Sequence, residues 1–253
     1  MTARRPLDMR AAWDAASGAY LARRDPTVAT VTYGNLAPDE NELRLLGDLD
    51  GLRVLDFGCG GGHNAVACAR AGAHVTAIDP SMKQLASARR LTVTHDVTVD
   101  LQQGTAARLP DLGRIFDLIL AIQVLPYVDD LPATLAACRA TLAPSGRLVV
   151  SIDHPFRDCF FDAEAQDLAG FPVRSYFDTD PLPWSFGPER PMQSRHLPLS
   201  AWLDRFTAAG LGLLRLMEPL PPPDLLDELW PDDGPLAPLR AIPHTLICLL
   251  TPA

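Results

Sequence analysis

The chain has 253 residues, 47% of them hydrophobic, which suits one substantial core, so a single α/β domain with decorations is expected. A formal net charge of -9 and a pI near 5.0 argue against nucleic acid as a partner, because phosphate-backbone binding is built on clustered Lys and Arg. No apolar segment reaches the length of a membrane span and no apolar run follows Met1 to Asp8, which points to a cytoplasmic protein with no membrane partner.

In chain order, Ala12, Trp13, Ala16, Tyr20 and Leu21 fall at helical spacing and predict an amphipathic helix from Met9 to Arg24. A second helix is expected from Asp39 to Leu49, so that residues 1–50 form a helical cap. A strand from Leu52 to Phe57 is broken by the glycines at 58 to 62, and a helix follows through Ala71. Ala73 to Asp79 is a second strand, and Pro80-Ser81 opens a helix through Arg90. Val97–Gln102, Phe116–Ile122 and Gly146–Ile152 give three more strands, with a helix from Leu131 to Leu142. Nearly continuous apolar strands alternating with helices imply a doubly wound, mostly parallel sheet covered on both faces, with residues 51–154 as its ligand-binding core. Residues 155–198 form a Pro- and aromatic-rich insertion, too long for an ordinary connection and typical of a lid. A helix from Leu199 to Ala209 and strands at Leu211–Met217 and Ile242–Thr251 complete a seven-stranded sheet from residues 199–253.

The densest chemical signal is Val54-Leu-Asp-Phe-Gly-Cys-Gly-Gly-Gly-His-Asn64. Glycines there let the backbone turn sharply and approach a ligand, and the helix behind offers free N–H groups, which suits a nucleotide-like cofactor. Asp79, at the end of the next strand, sits where a Rossmann unit presents a carboxylate to ribose hydroxyls; its alternative role is a helix N-cap, which Ser81 can supply instead. The cysteines at 59, 68, 138, 159 and 248 contain no Cys-x-x-Cys pair and read as reduced thiols. The histidines show no ligand spacing, and no metal is expected.

Five landmarks in order resemble those of class I S-adenosylmethionine-dependent methyltransferases: Asp56-x-Gly58-x-Gly60-x-Gly62, Asp79-Pro-Ser, Gln103-Gly-Thr-Ala, Phe116-Asp-Leu-Ile and Leu142-Ala-Pro-Ser-Gly-Arg-Leu. The resemblance implies a Rossmann-like fold and S-adenosylmethionine as cofactor, released as S-adenosylhomocysteine. It places Gly58, Cys59, Gly60 and Asn64 at the methionine end, Asp56 near its ammonium and Asp79 on the ribose. Pro80 and Met82 would flank adenine, Gly104, Thr105 and Ala106 would meet its polar edge, and Ala121 and Gln123 would face the glycines. Thr105 stands where the family more often has Asp, although a hydroxyl also accepts. Tyr20 and Tyr33 either close over the cofactor or pack in the core.

Asp153-His154-Pro155, Trp13-Asp-x-Ala-x-x-x-Tyr20 and His196-Leu-Pro-Leu-Ser resemble a small-molecule subgroup in which Arg often stands where Leu197 does here. His154 is the first candidate for a general base and His196 the second, each with a structural alternative. Phe156, Phe160, Phe161, Tyr176, Phe177, Trp184 and Phe186 line an acceptor pocket, form the insertion's own core, or both. The resemblance thus implies methyl transfer to a small molecule, more readily to oxygen, in specialised metabolism, by a monomer or homodimer. A methyltransferase fold with a non-transfer role, such as a cyclase, and a nicotinamide-dependent oxidoreductase are the competing readings; nucleic-acid methylation is disfavoured because Gln123-Val-Leu-Pro-Tyr127 keeps only the last two residues of Asp/Asn-Pro-Pro-Tyr.

Overall fold

A computed structural model describes residues 7–22, 27–187 and 189–253. The strands β1 (Arg53–Phe57), β2 (His74–Asp79), β3 (Val99–Gln103), β4 (Phe116–Ile122) and β5 (Leu142–Asp153) are mutually parallel where they pair. Two short hairpins follow, β6 (Phe161–Asp162) with β7 (Asp167–Leu168) and β8 (Leu182–Ser185) with β9 (Pro191–Ser194). Two antiparallel strands, β10 (Leu211–Met217) and β11 (Thr245–Pro252), then complete a seven-stranded sheet in the order β10-β11-β5-β4-β1-β2-β3. The order reverses between β1 and β4, and ligand crevices of open α/β sheets lie outside the carboxyl ends of strands at such a point.

Side chains alternate across the sheet and so divide the core in two. Leu55, Phe57, Ile119, Val150 and Cys248 face the helices α5 (Leu131–Thr141) and α7 (Leu199–Ala208), where Leu135, Trp202 and Phe206 cover them. Val54, Leu118, Leu120 and Ile247 face the other way, towards α3 (His63–Arg70), α4 (Met82–Thr94) and the chain from Val31 to Leu49. The seven strands and both helical layers agree with the sequence.

The N-terminal cap departs from it. Helix α1 spans Met9–Ala22 as described, with Arg23 and Arg24 outside the described residues. The expected helix over 39–49 is a single turn, α2 (Glu40–Leu43), ended by Arg44 in the left-handed region at φ 48°. The Glu40 carboxylate explains the stop: it accepts from the Leu45 and Leu46 amides and from the Tyr33 hydroxyl, and so takes over the bonds that a continuing helix would have made. The insertion is also more ordered than expected. It contains the one-turn helix α6 (Pro155–Asp158) as well as both hairpins. One small core joins Cys159, Phe160, Leu168 and Tyr176 to Trp230, Leu239 and Ile242, and a second packs β8–β9 on α1 through Met192, Ala12 and Ala16. Helix α8 (Pro223–Leu229) was not expected, because the prolines before it read as a break; they supply its first turn instead.

Candidate active site

Beyond the carboxyl ends of β1, β2 and β4 lies a cleft of about 440 Å³. Phe57, Gly58 and Gly60 form one side, Asp79, Pro80 and Gln84 another, Thr105 and Ala106 a third, and Gln123 and Tyr127 the fourth, while Trp13 and Tyr20 of α1 roof it. Gly58 has φ +72°, and a Cβ there would lie 2.3 Å from Val124 Cγ2, so the turn needs glycine on both counts. Gly60 also has positive φ, and a Cβ there would meet Tyr20 and Gln84 only at ordinary contact distance, 3.9 Å, so its backbone conformation and not space calls for glycine.

Asp79 is buried at the cleft edge. One carboxylate oxygen accepts from Gly60 N at 2.9 Å and the other from Ser81 N at 2.8 Å. Burial pushes its pKa up to about 6, against the two amide bonds that favour the anion. The N-cap of α4 is Ser81, whose Oγ accepts from Gln84 N and donates to Asp14 of α1 at 2.5 Å. Asp79 is therefore released from capping and keeps spare lone pairs towards the cleft. Gln84 Oε1 is buried with no partner in the protein, although Gln84 was not expected at the site.

Several expected cofactor residues lie elsewhere. Asp56 shares the Val54 side of the sheet and accepts from Ala65 N at the start of α3; its Oδ2 has no protein partner, and burial pushes its pKa up to about 7. Tyr33 is fully buried with its hydroxyl on Glu40 at 2.5 Å. Asn64 holds both the N–H and the C=O of Thr32 at 3.0 Å, so it ties down the N-terminal chain. Met82 points outward at 55% exposure, and Gly104 and Ala121 do not reach the cleft wall, Ala121 being wholly buried in the sheet. Cys59 is buried with its thiol pushed upward by burial, consistent with a packing role.

A second chamber of about 610 Å³ adjoins the first and shares Trp13, Tyr20, Gln123 and Tyr127 with it. Trp13 packs edge-on against Tyr20, Tyr127 and Trp184, with ring centroids 5.5, 5.3 and 6.4 Å apart, and Phe186 lies 4.9 Å from Trp184. This aromatic cluster forms the edge at which the two spaces meet. Asp153, Arg157, Asp158 and Arg195 bring charge to the second chamber, among apolar walls from Ile152, Leu182 and Trp202.

Neither expected histidine lines either space. His154 caps α6: its Nδ1 accepts from Phe156 N at 3.0 Å, so Nε2 carries the proton given to Glu218 at 2.8 Å. Burial lowers its pKa against the pull of Glu218. In His196, Nδ1 meets Asp158 Oδ2 at 2.9 Å and Nε2 donates to the Tyr176 carbonyl at 3.0 Å. Both imidazoles are spent on buried bonds, as a His-Pro turn and a chain crossing behind it require. Asp158, which does line the second chamber, carried no signal beyond its place four residues after His154. Among the described residues no group of His, Cys, Asp or Glu could hold a metal, and no helix is long and apolar enough to cross a membrane.

Residues 34–250 match the model of a methyltransferase domain family. A ubiquinone biosynthesis O-methyltransferase of Rhizobium leguminosarum is 40% identical over 103 residues, 41% of each chain, so the chain spans about two-fifths of the length of the curated relatives it matches. The crystal structure of an S-adenosylmethionine-dependent methyltransferase from Mesorhizobium loti superposes with a TM-score of 0.64 at 22% identity, covering 82% of this chain and 94% of that one. A structure from Listeria monocytogenes gives the same TM-score at 23% identity, covering 83% and 94%.

Proposed function

The chain belongs to the methyltransferase domain family, and from that premise we propose that it moves a methyl group from S-adenosylmethionine to an oxygen of a small molecule. The observation that carries this reading is the pair of adjoining chambers, one edged by the glycine turn and Asp79, the other walled largely by the insertion with apolar and charged side chains. The residues present fit the cofactor. Asp79 has acceptor lone pairs for ribose hydroxyls, the orphaned Gln84 Oε1 awaits a donor, and Gly58 and Gly60 present bare backbone to the cleft. Thr105 and Ala106 would meet the adenine edge, while Pro80 would pack on its face. When bound, the cofactor supplies an electrophilic methyl on a sulfonium.

The chain's own residues position and shield. Methyl transfer is an in-line displacement, so alignment of the two partners supplies most of the rate. Trp13, Tyr20 and Tyr127 offer aromatic edges and faces at the shared wall, which suits a cationic sulfonium and keeps water out. The O-methyltransferase relatives support oxygen as the target, and the net charge of -9 supports a small acceptor over nucleic acid.

Titration calorimetry with S-adenosylmethionine, S-adenosylhomocysteine and NADH tests the reading. Binding of the first two, weakened about tenfold or more in Asp79→Asn, is expected from the loss of a charged acceptor. Binding of NADH alone would overturn it.

A further inference from the structure

The second chamber holds a charged group that no expected role uses. Asp158 ends α6 on the chamber wall and is 8% exposed, yet only its Oδ2 has a bond, the one to His196. The Tyr176 carbonyl can only accept, so His196 Nε2 carries a proton, and the Nδ1···Oδ2 contact must hold another. His196 therefore has no free nitrogen. The open proton site of the pair is the second oxygen of Asp158.

The geometry points to Asp158, oriented by His196, as the proton acceptor for an aromatic hydroxyl compound bound in the chamber, an assignment that rests on the methyl-transfer reading above. Trp13, Tyr127, Phe161, Trp184 and Trp202 line the space and suit a planar apolar ring. Next to Asp158, Arg157 also lines the chamber, and its Nη1 makes only a long 3.3 Å contact to Asp153, so the guanidinium offers a donor to an oxygen arriving there. In the reaction, the acceptor O–H bond breaks and its proton passes to the second oxygen of Asp158. The electron pair left on the acceptor oxygen forms the bond to the methyl carbon, and the pair that held that carbon stays on sulfur. The Asp158–His196 pair gains one positive charge as the sulfonium loses one.

Other charges bear on Asp158: Asp153, His154 and Arg157 from its own turn and strand end, Cys159 beside it, Tyr127 after β4, and Arg174 behind His196. Burial raises the Asp158 pKa and the His196 bond opposes it, so the carboxylate is a stronger base than a surface one. His196 is a positioning residue in this scheme.

The test uses 4-nitrophenol, whose phenolate absorbs in the visible, added to the full chain saturated with S-adenosylhomocysteine at a pH where the free probe is mostly neutral. Growth of the phenolate band on binding is expected, lost in Asp158→Asn and weakened in His196→Asn, which keeps a donor to Asp158 without the charge. With any phenol that is turned over, Asp158→Asn should lower kcat by about 10²- to 10⁴-fold and remove the acidic limb of the pH profile. S-adenosylhomocysteine titration of each variant reports folding and the cofactor site separately, so failure of the methyl-transfer reading shows there first. If the probe fails to bind, binds without ionising, or ionises equally in Asp158→Asn, the assignment is wrong. Binding of benzylamine in place of 4-nitrophenol would also overturn it, by making Asp158 a cation anchor.

Discussion

At Gly58 two constraints act on one atom, the positive φ and the missing space beside Val124. Gly58→Ala should therefore destabilise the protein by about 1–3 kcal/mol and abolish cofactor binding. Adding Val124→Ala relieves only the clash, so the double variant should regain part of the stability in urea denaturation. Full recovery would show that backbone strain at Gly58 is negligible. Asp79 gives a pH signature of a different kind. Its pKa in the free protein is pushed up to about 6, and the ribose reading needs the ionised form. S-adenosylmethionine affinity should then fall as pH drops through about 6, by up to about tenfold per pH unit, and hold steady above it. Asp79→Asn should flatten this dependence; a slope that survives the variant would belong to another group, with Asp56 the first to suspect.

His154 separates stability from chemistry. Its folded pKa is lowered, so below the ordinary value of 6.5 the unfolded chain takes the proton first. The stability it contributes is thus present above that pH and is lost as pH falls through the window down to its depressed value. His154→Ala should remove a cap worth about 0.5–2 kcal/mol while leaving the acidic limb of any turnover profile in place. A lost limb with unchanged stability would restore His154 as the base.

At the scale of elements, the insertion works as two parts. Residues 155–176 share a core with Trp230, Leu239 and Ile242, so deleting all of 155–198 would strip the C-terminal half of its packing. The β8–β9 hairpin packs on α1 and completes the aromatic cluster instead. Replacing residues 182–194 with a short glycine linker should keep the fold and leave S-adenosylhomocysteine binding weakened but measurable, while cutting kcat/KM by at least about 10². Unchanged turnover would rule out the hairpin as a closure.

Legibility in the sequence followed the range of the interactions. Strands and the glycine turn were readable because apolar runs and Gly58 act locally, and Ser81, the alternative cap to Asp79, does cap α4. The second helix failed because Glu40 is satisfied by Tyr33 and by two amides beyond the turn, which no helical period records. The histidines misled for the same reason. Their titration range suggested a base, yet partners 64 residues away at Glu218 and 38 away at Asp158 decide what their nitrogens do. Asp56 was assigned to the cofactor on its place in the motif; it lies outside the cleft lining, accepts from Ala65 N and stands close enough to Asp79 to raise its own pKa.

For the whole molecule, the sheet order puts the cofactor cleft at the β1/β4 reversal, and the antiparallel pair β10–β11 extends the sheet beside β5. Cleft, aromatic cluster and chamber then follow one another in a line of shared residues. The most direct measurement is methyl-labelled S-adenosylmethionine incubated with the protein and a cell extract separated into small molecules and macromolecules. Label in the small-molecule fraction, with matching release of S-adenosylhomocysteine, is the expected result. Label on protein or nucleic acid, or tight cofactor binding with no transfer to either fraction, would contradict the account.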